Sequence, residues 1–229
     1  MQQYQATPDF YKEYISHHGI QGQKWGVRNG PPYPLNEGST SSKIYDDAKN
    51  RVEQITKDVT NAARKAGSKM YGLENKLKTK ESISRKINKN AKEKNQSLSK
   101  SANDIKDAVR FTTISPEKTF VSSYEKVKKE LERKGYKETR CKNYFELFRE
   151  GKVKHKSVQS TYATKDGYEF EIQFHTKASQ DAKTKKIPLY EERRSLNVTK
   201  KRAKELENQM VNLALNVKDP INIERIKSH

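Results

Sequence analysis

Tyr168-Glu169-Phe170-Glu171-Ile172-Gln173-Phe174-His175-Thr176 alternates without a break. At period two, Tyr168, Phe170, Ile172 and Phe174 fall on one side, and Glu169, Glu171, Gln173 and His175 fall on the other. The stretch predicts a strand that buries an aromatic face. Its opposite face carries two carboxylates, an amide and an imidazole in a row. Asp166-Gly167 just before it is a hairpin turn signal, and Ser157–Lys165 upstream is itself strand-like. The plain reading of such a polar row is the solvated side of an antiparallel sheet. The surrounding chain argues for more.

Moving outward toward the N-terminus, Asn143-Tyr144-Phe145-Glu146-Leu147-Phe148 reads as a short aromatic connector, and Lys137–Lys142 as a strand. Ala108-Val109-Arg110-Phe111-Thr112-Thr113-Ile114 is rich in β-branched residues and predicts another strand. Between these strands, Ser115-Pro116-Glu117 starts a helix to Arg133 with Phe120, Tyr124, Val127 and Leu131 on one face. Further out, Ser41–Ala66 shows an apolar stripe (Ile44, Ala48, Val52, Ile55, Val59, Ala62), with helices expected near Leu73–Asn90 and Leu98–Ile105. Downstream, Ile187 to Val217 reads as helix broken near Asn197, and the basic tail from Lys218 as loose. The expected class is α+β: a mixed sheet flanked by helices, with a long C-terminal helix and an extended N-terminal arm.

Composition limits the function classes. The 229 residues are only 31% hydrophobic and carry a formal net charge of +19, which favours polyanionic partners such as nucleic acid or nucleotides. Between Lys43 and Lys106 stand 17 lysines and arginines against 8 acids, a run usually spent on solvated helix faces. The single cysteine, Cys141, rules out an internal disulfide or a thiolate zinc cluster. There is no apolar run of membrane-spanning length and no signal-peptide pattern, so a cytoplasmic site of action is expected, with no membrane partner.

Residues 1–40 hold five of the ten glycines, four of the seven prolines and the only tryptophan, and read as a docking arm. Within it, His17-His18-Gly19-Ile20-Gln21-Gly22-Gln23-Lys24-Trp25-Gly26 offers Ile20 and Trp25 as apolar anchors between glycines. This stretch resembles a short motif of head- and portal-associated proteins of tailed bacteriophages. The resemblance implies phage head or portal proteins as partners of the arm, and association with a virion that delivers the chain into its host. The expected division is this arm, a basic helix over 41–70, a core over 71–195, and a helix with basic tail over 196–229.

Four pieces then fall into one order. They are the basic run Lys76–Lys86, Asp107 ahead of Val109-Arg110-Phe111, His155-Lys156-Ser157-Val158-Gln159, and Glu171-Ile172-Gln173-Phe174-His175-Thr176. Together they resemble the synthetase domain of the RelA/SpoT family over roughly Leu73–Arg194, the last piece being the most specific. The resemblance implies a nucleotidyltransferase-like core and an enzyme that moves the β,γ-diphosphate of ATP onto a ribose 3′-hydroxyl. It implies ATP as substrate, held by Lys76, Lys78, Ser82 and Lys86. Mg²⁺ would be held by Asp107 and Glu171, with Glu171 also activating the acceptor hydroxyl. His155, Lys156, Gln173 and His175 would bind the acceptor, a guanine nucleotide or tRNA. Such chemistry depends on positioning and charge neutralisation.

The sequence departs from that family in two places. Lys76 stands where the family commonly has arginine, which can fork two phosphate oxygens as lysine cannot. Lys154-His155 replaces a glycine-tyrosine pair. Asp107 also shares strand parity with Val109 and Phe111, so it must leave the regular strand to face a site. Three functions stay open here: a pyrophosphokinase with an effector or toxin role, a virion structural or packaged protein retaining the fold without catalysis, and an RNA-binding module.

Overall fold

The computed structural model describes residues 35–193 and 198–229, with side chains from residue 40 onward. The docking-arm residues Ile20 and Trp25 lie outside them. In chain order the elements are α1 (Leu35–Lys65), β1 (Lys69–Tyr71), α2 (Lys80–Lys94), α3 (Leu98–Asn103), β2 (Arg110–Ile114) and α4 (Phe120–Arg133). They continue with β3 (Lys137–Asn143), α5 (Tyr144–Arg149), β4 (Val158–Ala163), β5 (Glu169–His175), α6 (Lys177–Arg193) and α7 (Lys200–Leu215). One five-stranded sheet runs β1-β2-β5-β4-β3, parallel between β2 and β5 and antiparallel elsewhere. The expected α+β class with a mixed sheet is what forms.

The chain divides into two compact units. The smaller takes the described residues up to Asp47 with Thr79–Ile105, and the larger takes Ala48–Lys78 and Lys106–His229. In the smaller unit, Thr79 and Ser97 cap α2 and α3 by accepting the amides of Ser82 and Lys100, each at 3.2 Å. Lys94 and Gln96 then bind Asp104 at 2.8 and 2.9 Å. The helix expected from Leu73 starts instead at Lys80. Ahead of it, Leu73–Asn75 forms a 3₁₀ turn, and residues 76–78 run extended beside 108–110 in the larger unit.

In the larger unit the aromatic face of β5 is buried as its period requires. Phe170, Ile172 and Phe174 are at most 1% exposed. Phe174 meets Tyr124 of α4 edge-on at 5.0 Å, and Phe170 meets Tyr136 at 5.5 Å. The hairpin turn forms where Asp166-Gly167 marks it. Gly167 takes φ of +85°, and Thr164 N–H donates to the Tyr168 carbonyl at 2.8 Å. The second half of α1 packs on the same side, with Val52, Ile55 and Val59 buried and Ser123 Oγ donating to the Ala66 carbonyl at 2.9 Å.

Asp58 anchors that helix. Burial pushes its carboxyl up, but Lys134, Gln54 and Tyr136, at 2.7, 3.0 and 2.8 Å, more than offset this and hold it below the usual carboxylate range. Its contribution is therefore present above the ordinary carboxylate pKa and is lost as pH falls through the lower folded value. Asp58→Ala is expected to cost about 2 kcal/mol at neutral pH, because it strands the Tyr136 hydroxyl and Lys134. The deficit should shrink below about pH 4, where the unfolded chain's carboxyl begins to protonate, and go on shrinking down to the lower folded value. Urea unfolding at neutral and acid pH measures both.

The remaining expectations shift in detail. The connector after Asn143 is the short helix α5. The helix expected from Ile187 begins ten residues earlier, at Lys177. The tail expected to be loose is packed, with Ile223 and Ile226 each 2% exposed and His229 exchanging backbone hydrogen bonds with Cys141 of β3. It closes the β3 edge of the sheet. Apolar residues spaced through a basic segment find the groove that a loose tail would leave empty.

Candidate active site

The other face of the sheet carries the polar row. Register sets its neighbours: Arg110 on β2 lies beside Glu171, Thr161 and Gln159 on β4 oppose Glu171 and Gln173, and Arg140 and Lys142 of β3 follow on the far side. The row is not a solvated face. Glu169 and Glu171 are half-buried, whereas Gln173 and His175 are 5% and 2% exposed. Buried polar groups need partners, and a chain of them forms here. Lys183 Nζ of α6 donates to Gln173 Oε1 at 2.5 Å, and Gln173 Nε2 donates to Glu171 Oε1 at 2.6 Å. The Glu171 carboxylate is thereby oriented from a helix the sequence reading did not implicate.

Lys76 and Lys78 reach this face through the extended segment before α2. Leu77 bridges Val109, Lys78 N–H donates to the Ala108 carbonyl at 2.9 Å, and Arg110 N–H donates to the Lys76 carbonyl at 2.8 Å. The regular strand begins only at Arg110, so Asp107 is free of its parity. Its carboxylate, 7% exposed as a residue, takes a hydrogen-bonded ion pair from Lys78 Nζ. Glu171 N–H donates to the Val109 carbonyl at 3.1 Å, which seats Glu171 beside the segment that follows Asp107. Lys76 pairs with Glu53 at 2.9 Å. Ser82 and Lys86 stand on α2 in the smaller unit, where Ser82 N–H bonds the Thr79 cap.

Among the described residues no group of three or more His, Cys, Asp or Glu side chains could hold a metal ion. Asp107 and Glu171 supply two carboxylates of the kind that bind Mg²⁺ together with substrate phosphates, so the donor chemistry fits that ion.

His155, expected to bind an acceptor, is half-buried, its ring 4.3 Å from that of Tyr144 and tilted by 35°. Burial, then the charges of Lys186 and Lys183, push its pKa down to about 4, so the ring is neutral. Lys156 turns elsewhere: its ammonium binds Asp219 at 2.8 Å and the Val217 carbonyl at 2.7 Å. Two cavities open beside these residues. One of about 400 Å³ lies among His155, Lys186, Ile187, Tyr190 and Met210, and one of about 210 Å³ among Ser157, Gln159, His175 and Lys183.

Sequence reasoning passed over Lys183, Lys186 and Tyr144. The two lysines sit in a run that reads as a solvated helix face, and only their burial marks them. Burial, then the charge of Arg110, lowers Lys183 to about 8, with Glu171 opposing the shift; burial lowers Lys186 to about 8. An unfolded lysine keeps its proton to about pH 10. Between those values the unfolded chain binds more protons, so stability rises with pH across the window. Lys183→Met is expected to remove part of that rise, measured by urea unfolding at roughly pH 7 and pH 9.5. Equal slopes for variant and wild type would contradict the burial of the charge.

No protein-family model matches the sequence, and no curated protein sequence does. Solved structures do. The crystal structure of small alarmone synthetase 1 from Bacillus subtilis bound to its product pppGpp superposes with a TM-score of 0.53 at 16% identity, covering 77% of this chain and 92% of that chain. A second crystal structure of that synthetase gives 0.52 at 17% identity over 76% and 90%. The type VI effector Tas1, in complex with its immunity protein, gives 0.47 at 20% identity over 76% and 94%. The chain has the fold of a small alarmone synthetase, which is the fold implied by its resemblance to the RelA/SpoT synthetase domain.

Proposed function

We propose that the chain is an ATP-dependent pyrophosphokinase, transferring the β,γ-diphosphate of ATP to a ribose 3′-hydroxyl. The observation that carries this is the half-buried chain Lys183–Gln173–Glu171 on a cation-lined sheet face. A solvated sheet face would have no reason to order a carboxylate in this way, and fold alone does not decide function. The acceptor oxygen attacks the β-phosphorus, the bond from that phosphorus to the bridging α,β-oxygen breaks, and AMP leaves. Glu171 takes the hydroxyl proton. Lys76, Lys78, Ser82 and Lys86 bind the phosphates of ATP, and Arg110 adds a guanidinium next to Glu171. His155, backed by Tyr144, together with Gln173 and His175, holds the acceptor, while Lys156 is engaged by Asp219 and the Val217 carbonyl. Mg²⁺ on Asp107 and Glu171 would neutralise charge developing on the transferred phosphates.

The acceptor is a guanine nucleotide or the 3′ end of tRNA, and an enzyme of this kind without a regulatory partner would serve as a toxin or effector. Incubating the purified chain with labelled ATP, Mg²⁺ and GDP, GTP or bulk tRNA separately tests the reading. Label on one acceptor is expected and names it. Well-folded protein that labels none would overturn the assignment, in favour of a virion protein that kept the fold without the chemistry.

A further inference from the structure

Glu169 shares the polar face of β5 with Glu171, roughly 7 Å away at the rise of a strand, yet the proposed reaction leaves it unused. Both of its carboxylate oxygens are engaged. Lys106 Nζ pairs with Oε2 at 2.6 Å, and Thr139 Oγ1 donates to Oε1 at 2.8 Å. The partners come from opposite sides: Lys106 precedes β2, and Thr139 lies on β3, two strands beyond β5. Two local features allow that reach. Ala163 of β4 lies between Glu169 and Lys137 of β3, and so small a side chain lets the carboxylate pass over β4. β3 also carries a bulge. Lys137 and Arg140 both register with the site face of β4, with two residues between them where a regular strand has one, and Thr139 is the extra one.

What this strut holds is the segment ahead of β2. Lys106 lies four residues before Arg110, the neighbour of Glu171, and so on the same side of an extended chain. Asp107 has the parity of buried Val109 and Phe111, yet its carboxylate meets the Lys78 ammonium. Successive residues of an extended chain point to opposite faces. Lys106 and Asp107 can both serve the site face only where the backbone leaves the strand. It does so by bending at Ala108, whose carbonyl accepts Lys78 N–H at 2.9 Å. The bend is gripped from both sides of Asp107, by Lys78 on one and by Glu169 through Lys106 on the other. Exposed ion pairs usually contribute little. This one is partly sheltered, the Glu169 side chain being 21% exposed, and the Thr139 hydroxyl fixes its geometry.

We propose that Glu169 is a positioning residue for Asp107: acting through Lys106, and steadied by Thr139, it holds the bend that turns the Asp107 carboxylate toward the face carrying Glu171. The inference rests on the diphosphate-transfer reading, in which Asp107 and Glu171 share a divalent cation, but its test needs neither ATP nor turnover.

Mn²⁺ titrated into the full chain, followed by line broadening of the backbone amides, reads the cation site directly. Amides of residues 107–111 and 170–173 are expected to broaden together in the wild-type protein. Glu169→Gln is expected to need about fivefold more Mn²⁺ for the same broadening. Lys106→Met separates positioning from plain electrostatics. Removing a positive charge beside the site would by itself tighten a cation, whereas loss of the strut weakens it, again by about fivefold. The double variant is expected to be no weaker than either single one, because both cut the same strut. Melting temperatures near wild type show that the variants fold. Tighter or unchanged Mn²⁺ binding in Lys106→Met overturns the proposal, as does a wild-type chain in which the two groups of amides do not broaden. Unchanged binding in both single variants, with label still transferred from ATP by the wild type, would overturn this inference and leave the pyrophosphokinase reading standing. Both weakenings with no transfer to any acceptor would uphold the strut and overturn that reading.

Discussion

Glu171→Gln is expected to lower diphosphate transfer by about 10³-fold or more while leaving the fold and nucleotide binding close to wild type. The substitution keeps the shape and one oxygen, so Gln173 Nε2, now 2.6 Å from Glu171 Oε1, retains an acceptor. What disappears is the charge. In the proposed reaction the carboxylate takes the hydroxyl proton and shares a divalent cation with Asp107, and a neutral amide would do neither. Stability should change little, because Glu171 is half-buried rather than enclosed. Melting temperature and nucleotide-induced thermal shifts control for folding and binding. A variant with more than about a tenth of wild-type transfer would remove Glu171 from the chemistry, since general-base catalysis alone supplies roughly 10²–10⁴-fold.

How far the sequence revealed this site depends on which contacts are local. The period of β5, the Asp-Gly turn and the aromatic stripe of α4 are local signals, and each element formed where they pointed. Asp107 reached the site because the regular strand starts at Arg110, a boundary that residue parity alone does not show. The depth of Gln173 and His175 was not legible, because it depends on α6 and α7 packing over that end of the strand. The first half of α6 was missed for a related reason. Lys177–Lys186 has no clean apolar stripe, and Pro188 lies inside the helix, so propensity argues against it. Lys183 and Lys186 therefore look like solubilising charge. In the structure both line the cavities beside His155, and burial lowers the pKa of each. The basic tail misled similarly: Ile223 and Ile226 are too few to show a period.

Asn143→Ala is expected to destabilise the larger unit by about 3 kcal/mol, the largest stability loss foreseen for a single polar side chain here. Asn143 is fully buried and its amide is used at both ends. Oδ1 caps α5 by accepting Phe145 N–H at 3.1 Å and Glu146 N–H at 3.4 Å. Nδ2 donates to the carbonyls of Ile223 and Ile226 at 2.9 and 3.0 Å, fastening the C-terminal segment over β3. Alanine leaves buried amides and carbonyls unpaired, and that penalty exceeds the net worth of the bonds themselves. Hydrogen exchange should then rise across residues 221–229 and at the start of α5 together. Ile226→Ala separates the two effects: it loosens the tail but leaves the α5 cap in place. The distinction bears on function, because α5 begins with Tyr144, the ring that backs His155. Asn143→Ala should therefore weaken nucleotide binding as well as stability, whereas Ile226→Ala should affect stability alone. Unchanged protection of the tail in Asn143→Ala would show that the amide is not its fastening. Equal loss of nucleotide binding in both variants would mean that the tail itself, and not the α5 cap, holds the acceptor side in place.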